Sequence, residues 1–232
     1  MRSSAMIDNG DSATVLYTTF GKNNWCGTYK AIDGSFHTVA NLSYIVVGIV
    51  KGEICGNEYN VKEISYKDNI CEDCNPEDVM RKMEYDEAQK LDVDLIFLDR
   101  KLTFDKFTGK NIISIAKDPA NVPNINHETP WLVSSYERDG IRGGYFKLFS
   151  FSWVFLVEVT VDWSWQNILS LLYVLGKEPI PEALGYNYIL FLVDKVAKYY
   201  RDKGSKALNL IAHNYNNYRE FRSFIEWKRK KG

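Results

Sequence analysis

The sequence carries little of what marks a specialised class. Its 232 residues include six prolines and four cysteines, and 29 basic against 30 acidic side chains leave a formal net charge of −1. A balance so close to neutral excludes a protein that coats nucleic acid by charge alone, although a local carboxylate cluster would hide basic groups in the same sum. No apolar run approaches the roughly 20 residues that cross a bilayer; Ile189 to Val193 is typical of the longest. Met1 to Gly10 has neither the basic nor the apolar region of a secretory signal, so a soluble, cytoplasmic protein is expected.

The four cysteines do not define a framework. Cys71 and Cys74 form a CxxC, Cys26 and Cys55 stand alone, and no His–Cys pair supplies the second half of a zinc site. A redox CxxC belongs where a strand opens into a helix. This one lies in the polar segment Asp68 to Asn75, which favours a loop-stapling disulfide or plain thiols over a metal or redox role. The basic tail Lys228, Arg229, Lys230 and Lys231 reads as a solvated terminus, with phosphate contact as the alternative.

What is present is core-forming material. Hydrophobic residues make up 45% of the chain, enough for one sizeable domain over 1–232, and aromatics 14%, which can fill a core, an interface or a base-stacking platform. Residues 1–26 show little periodicity and read as a loose lead-in. Tyr29 to Asp33, Asn41 to Val50 and Tyr59 to Tyr66 are β-prone runs with Gly- and Asn-containing breaks, the pattern of an antiparallel meander.

Asn75 and Pro76, followed by Glu77 and Asp78, open a helix on which Met80, Met83, Glu87 and Leu91 recur at helical spacing. Asp94 to Asp99 and Asn111 to Ala116 read as buried strands, and a helix between strands implies a parallel or mixed sheet. Beyond a Pro- and Asn-rich loop from Pro119 to Pro130, Gly144 to Phe149 and Trp153 to Val161 suggest a hairpin. Helices are expected over Trp165 to Leu175 and Tyr188 to Tyr200, with a polar-aromatic one over Asn209 to Trp227 in a C-terminal helical tail, 205–232. The fold class is therefore α/β, an RNase H-like core with a mixed β-sheet flanked by helices.

Asp33 and Asp99 share a context. Each closes an apolar run, and the Gly34-Ser35 and Arg100-Lys101 that follow read as turns. A carboxylate at a strand end is costly unless it is paired, hydrogen-bonded or bound to a cation. Ends of adjacent strands lie about 5 Å apart, so two carboxylates there repel until a hard divalent ion sits between them. The alternative is that each caps a turn through its side chain.

Six short strings in order resemble the NurA family of DNA-end-processing nucleases, over roughly Ala31 to Lys198. They are Ala31-Ile32-Asp33-Gly34-Ser35, Arg81-Lys82-Met83-Glu84, Leu95-Ile96-Phe97-Leu98-Asp99, Ser114-Ile115-Ala116-Lys117, Val154 to Val159, and Gly185-Tyr186-Asn187-Tyr188. The resemblance, to a short and divergent member, implies metal ligands at Asp33, Glu84 and Asp99, with Glu87 the competitor of Glu84. Asp194 stands where the family has histidine, and would keep an oxygen donor suited to Mn²⁺ or Mg²⁺; its alternative is an exposed pair with Lys198. Lys117 would offset phosphorane charge, and Tyr186 would position DNA or stack on a base. Arg100 and Lys101 replace the family's Gly-Ser and would touch phosphate.

The implied activity is two-metal hydrolysis of DNA ends, exonucleolytic or also endonucleolytic, in DNA repair. The implied partners are DNA, a second copy in a homodimer and a HerA-type hexameric ATPase. The rivals are a catalytically weak NurA-like subunit that binds DNA ends or a translocase, and an unrelated α/β module whose aspartates cap turns. Phe146, Phe149, Phe151 and Trp153 suit an interface or a core equally.

Overall fold

A computed structural model describes residues 4–7, 14–117 and 122–231. The start of the Pro- and Asn-rich loop, 119–121, and much of Met1 to Gly10 lie outside them, as do the side chains of the basic tail Lys228 to Lys231. The strands are β1 (Ser4–Ile7), β2 (Thr14–Tyr17), β3 (Cys26–Val39), β4 (Leu42–Cys55), β5 (Glu58–Glu72), β6 (Leu95–Leu98), β7 (Ile112–Ala116), β8 (Trp131–Arg138), β9 (Ile141–Lys147) and β10 (Phe155–Val159). The helices are α1 (Pro76–Ala88), α2 (Leu102–Asp105), α3 (Trp165–Gly176) and α4 (Tyr188–Lys231).

All ten strands join one mixed sheet in the order β1-β2-β8-β9-β10-β7-β6-β3-β4-β5. The meander β3-β4-β5 is antiparallel, while β6 pairs parallel with β3, and β7 parallel with β6. The order β5-β4-β3-β6-β7 is the RNase H-like core expected from the sequence, and helices flank the sheet on both faces. Alternation along the strands divides the core. Tyr29, Ala31, Leu95, Phe97, Ile113 and Ile115 pack with α3 and the start of α4. Ile32, Ile96, Leu98 and Ile112 pack with Ala88 of α1 and Leu102 of α2.

Several expectations need correction. Asp33 lies in the middle of β3, and Gly34-Ser35 continue the strand, because the antiparallel ladder with β4 runs unbroken to Val39. The 1–26 lead-in contributes β1 and β2, with β2 paired to β8, a strand between the Pro- and Asn-rich loop and Gly144 that the sequence does not announce. The two C-terminal helices are one, α4, so 205–232 has no separate start. Cys26 and Cys55 do not stand alone: they face each other across β3 and β4 and form a disulfide. Cys71 and Cys74 form the other, tying the end of β5 to the turn before α1. Phe146 is buried, whereas Phe151 and Trp153 are exposed.

Helix α1 starts as its sequence dictates. Asn75 accepts a hydrogen bond from the Glu77 amide at 3.1 Å, Pro76 takes the first turn, and Glu77 and Asp78 suit the dipole. Its inward face differs from the expected stripe: the buried residues are Glu84, Glu87 and Ala88, while Leu91 lies beyond the helix and is exposed. Glu87 is anchored by three lysines, Lys30 at 3.4 Å, Lys90 at 2.5 Å and Lys67.

Lys30, fully buried on β3, is satisfied by four acceptors. These are the carbonyls of Glu87 at 2.9 Å and Lys90 at 3.3 Å, Glu87 Oε1, and Asp92 Oδ1 at 2.6 Å. It thereby caps the C-terminal turn of α1 and fixes that helix on the sheet. Lys30→Met should destabilise the protein by about 3 kcal/mol in urea unfolding, the low end for a broken buried pair because Glu87 and Asp92 keep other cations. An unchanged or raised unfolding midpoint would show that desolvating Lys30 is not repaid.

Candidate metal centre

The parallel ladder of β3 and β6 pairs Ala31 with Phe97 and Ile32 with Leu98. One residue further along, Asp33 and Asp99 stand side by side, on the face already occupied by Ala31 and Phe97. β6 ends there while β3 continues, so both carboxylates lie where the parallel part of the sheet opens. Lys117, immediately after β7, joins the same row, and its ammonium meets Asp99 Oδ2 at 2.8 Å.

Helix α4 closes this face because Gly48, opposite Asp33 on β4, has no side chain. A Cβ there would lie 3.0 Å from the Val193 carbonyl and 3.1 Å from the Ala197 amide. The helix begins at a buried Asn187, whose side chain accepts from the Leu190 amide at 2.9 Å, and it brings Asp194 over the row. Asp194 is partly exposed and pairs with Lys198 at 2.8 Å, so the surface pair and the site position coincide.

Glu84 reaches the site from α1 on the opposite face. A Cβ on Gly34 would lie 2.4 Å from Glu84 Oε1 and 2.5 Å from Met80 Cγ, so the glycine admits the carboxylate. Glu84 Oε2 pairs with Arg100 Nε, while Oε1 is buried with no hydrogen-bond partner. Glu87, held by its three lysines, is elsewhere. Of the two glutamates the sequence offers, Glu84 is the one whose charge reaches Asp33 and Asp99, while Glu87 is taken up by its lysines.

The electrostatics agree with crowding. The Asp33 carboxyl is enclosed although the residue keeps some exposure. Burial raises its pKa well above the usual range, followed by the charges of Asp99, Glu84 and Asp194; only the Gly34 amide, at 2.8 Å, works the other way. Burial also raises Glu84, against the hydrogen bond and charge of Arg100. For Lys117 burial opposes the charge, but Asp99, Asp33 and Asp194 outweigh it and raise its pKa.

Tyr186 is buried beside Phe155, with the Lys117 ammonium 4.5 Å from its ring centre. Its buried ring has no free face for a base, which removes stacking, one of the two roles expected of it. Its hydroxyl closes no hydrogen bond of normal geometry, yet burial and the charges of Asp99, Asp33 and Asp194 hold it firmly protonated, an O–H aimed among carboxylates. Arg100 is occupied by Glu84, and Lys101 is exposed ahead of α2.

The donors are all carboxylate oxygens, the set that hard divalent ions select. Among the described residues no three of them already stand as a closed ion cage, because Glu84, Asp99 and Asp194 are each turned toward a basic side chain. The buried, unpartnered Glu84 Oε1 and the crowded Asp33 nonetheless fit a cation. Sequence reading missed Lys30, whose only signal was a lone charge within the apolar run Tyr29 to Ile32, and the Glu84–Arg100 pair, which has none.

The NurA domain family matches residues 108–199. No curated protein matches the chain in sequence. In structure the chain is similar to the NurA nuclease from Sulfolobus solfataricus, with a TM-score of 0.57 and 13% identity over 86% of this chain and 88% of that one. It is also similar to endonuclease V from Bacillus subtilis, with a TM-score of 0.54 and 15% identity over 78% and 83%. A third match is endonuclease V from Ciona intestinalis in complex with DNA containing an inosine followed by a ribo-adenosine, with a TM-score of 0.50 and 10% identity over 80% and 92%. The resemblance to the NurA family is borne out: the family match takes in the last three of the six strings, and the chain shares the fold of the NurA nuclease.

Ionisation of crowded carboxylates should cost the fold stability. A carboxyl whose folded pKa is raised contributes stability in acid that is lost as pH rises through that pKa. In EDTA, Asp33→Asn should therefore melt higher than the unmodified protein at neutral pH, by about 2–4 °C for each kcal/mol relieved, and the gap should close in mild acid. A lower melting temperature for Asp33→Asn at neutral pH would contradict the crowding.

Proposed function

We propose that this chain, NurA-like in sequence and fold, is a metal-dependent DNA nuclease whose divalent ions are held by Asp33, Asp99, Glu84 and Asp194. The observation that carries the reading is the buried, unpartnered Glu84 oxygen beside two side-by-side aspartates, an arrangement that costs stability and that a cation would repay. When bound, two such ions supply a water of lowered pKa as nucleophile and stabilise the leaving 3′ oxygen in phosphodiester hydrolysis.

The chain's own groups do the rest. Lys117, half-exposed on the rim, faces the phosphate and balances charge that grows in the transition state. The Tyr186 hydroxyl, kept protonated and without a partner, is a buried donor available beside Asp99. Lys101 is free to approach the DNA backbone as an exposed cation. The Mn²⁺ or Mg²⁺ requirement, action at DNA ends and a role in repair follow the family, as do pairing with a second copy and with a HerA-type ATPase. The exposed Phe151 and Trp153 support an interface.

One observation favours the alternative of a catalytically weak subunit. Arg100 already takes one oxygen of Glu84, where the resembled family has glycine. A Mn²⁺-dependent cleavage assay on linear DNA separates the two readings. Asp33→Asn and Asp99→Asn, checked for folding by circular dichroism, should each lose at least about a hundredfold in rate, as when a transition-state contact is removed. Cutting by Asp99→Asn at the unmodified rate would sink the nuclease reading, and absence of cutting by the intact protein would favour the weak subunit.

A further inference from the structure

Three of the four carboxylates carry a cation of their own. Glu84 has Arg100, Asp99 has Lys117 at 2.8 Å, and Asp194 has Lys198 at 2.8 Å, one turn along α4. Asp33 has only the Gly34 amide, with no ion pair among the described residues. Four carboxyl groups share three cations, and a divalent ion brings two charges that compete with those cations for the same oxygens. Its arrival weakens the attraction of the carboxylates for the resident cations.

Their placement lets them act on that change. The Lys117 and Lys198 side chains are about half exposed, at 48% and 49%, and reach solvent by rotating their own bonds. Arg100 sits deeper, at 16%, at the strand end beside Asp99. The Asp194–Lys198 pair differs from an ordinary exposed helix pair, which is worth little. The turn of α4 that carries Asp194 and Lys198 lies against Gly48, opposite Asp33, so this pair stands beside the cluster.

We propose that Arg100, Lys117 and Lys198 are phosphate-binding groups that the carboxylates hold until a divalent ion releases them, so that metal and DNA backbone bind with positive coupling. The proposal rests on the metal-centre reading above and adds Lys198 and the coupling to it. In this arrangement the protein has low affinity for DNA without metal, because its cations near the site are already paired. The same groups compete with the ion at the carboxylates, so the ion binds weakly without DNA. Each ligand removes the other's competitor, which makes the effect reciprocal.

The test needs no cleavage. A fluorescein-labelled oligonucleotide with phosphorothioate linkages is titrated with the full-length protein in EDTA and in Mn²⁺, read by anisotropy. In parallel, Mn²⁺ binding is read by thermal shift with and without the oligonucleotide. Mn²⁺ should tighten DNA binding by at least about fivefold, the low end of ordinary coupling, and DNA should tighten Mn²⁺ binding by the same factor. Lys198→Gln, an exposed conservative change, and Arg100→Gln should each lose part of the increment. With Mn²⁺ present, each should lower the salt slope of duplex binding by roughly one contact.

Equal loss of DNA affinity with and without Mn²⁺ would make these residues permanent contacts and overturn the proposal. So would Mn²⁺ binding that is indifferent to DNA, and that result would leave the metal centre standing. A protein whose melting temperature ignores Mn²⁺ in every variant would overturn the metal centre and the coupling together.

Discussion

Asp33 and Asp99 are held side by side by backbone hydrogen bonds that are indifferent to their charge. The parallel register of β3 and β6 sets neighbouring side chains about 4.8 Å apart, and that register is fixed by a deep apolar core around Ala31, Ile32, Phe97 and Leu98. A slip by one residue would turn every one of those side chains to the wrong face, so the core cannot relax to separate the carboxylates. The repulsion is built in, and everything else near the site is arranged around it. Lys117 approaches from the next strand, Asp194 from α4 and Glu84 from α1.

Two glycines let the helices come that near. Gly48 seats the backbone of α4 directly on β4, and Gly34 admits Glu84 from beneath β3. The two positions are adjacent to the same pair of ladders, one on each face of the sheet, so the site is reached from both sides at the point where β6 stops and β3 runs on. The Lys30 clasp complements this placement. It binds the last turn of α1 through backbone carbonyls and Glu87, which sets the rotation of the helix one turn from Glu84. A charged anchor for a helix that buries two glutamates is consistent with the poor apolar content of its inward face.

The order of elements and the central carboxylates were legible in the sequence because they follow from short-range pattern. Apolar runs give the strands of the core, Asn75-Pro76 gives the start of α1, and an aspartate closing an apolar run marks both Asp33 and Asp99. What failed was whatever depends on the partner strand. β3 extends past Asp33 because β4 continues beside it, and no local residue announces that. β1 and β2 are short edge-side strands; β2 rests on pairing with β8, a contact 119 residues away at Val15 and Ser134, and β1 on pairing with β2. The Cys26–Cys55 bridge is likewise a consequence of register. Glu84 over Glu87 was undecidable from spacing, since both lie on the inward face of α1; the three lysines that claim Glu87 come from strand β3, strand β5 and the end of the helix itself.

The site therefore departs from what a stable fold alone would choose, and in a consistent direction. Replacing Asp33 or Glu84 by neutral residues would relieve repulsion and desolvation, and side chains at Gly34 or Gly48 would reduce the freedom of the unfolded chain if there were room for them. Neither change is compatible with bringing carboxylates to this part of the sheet from both of its faces. The resident cations Arg100, Lys117 and Lys198 moderate that cost without removing it, because each satisfies one carboxylate and Asp33 is left to the Gly34 amide. Carboxylates crowded inside a sheet whose register cannot yield carry a cost that the proposed divalent ion would offset.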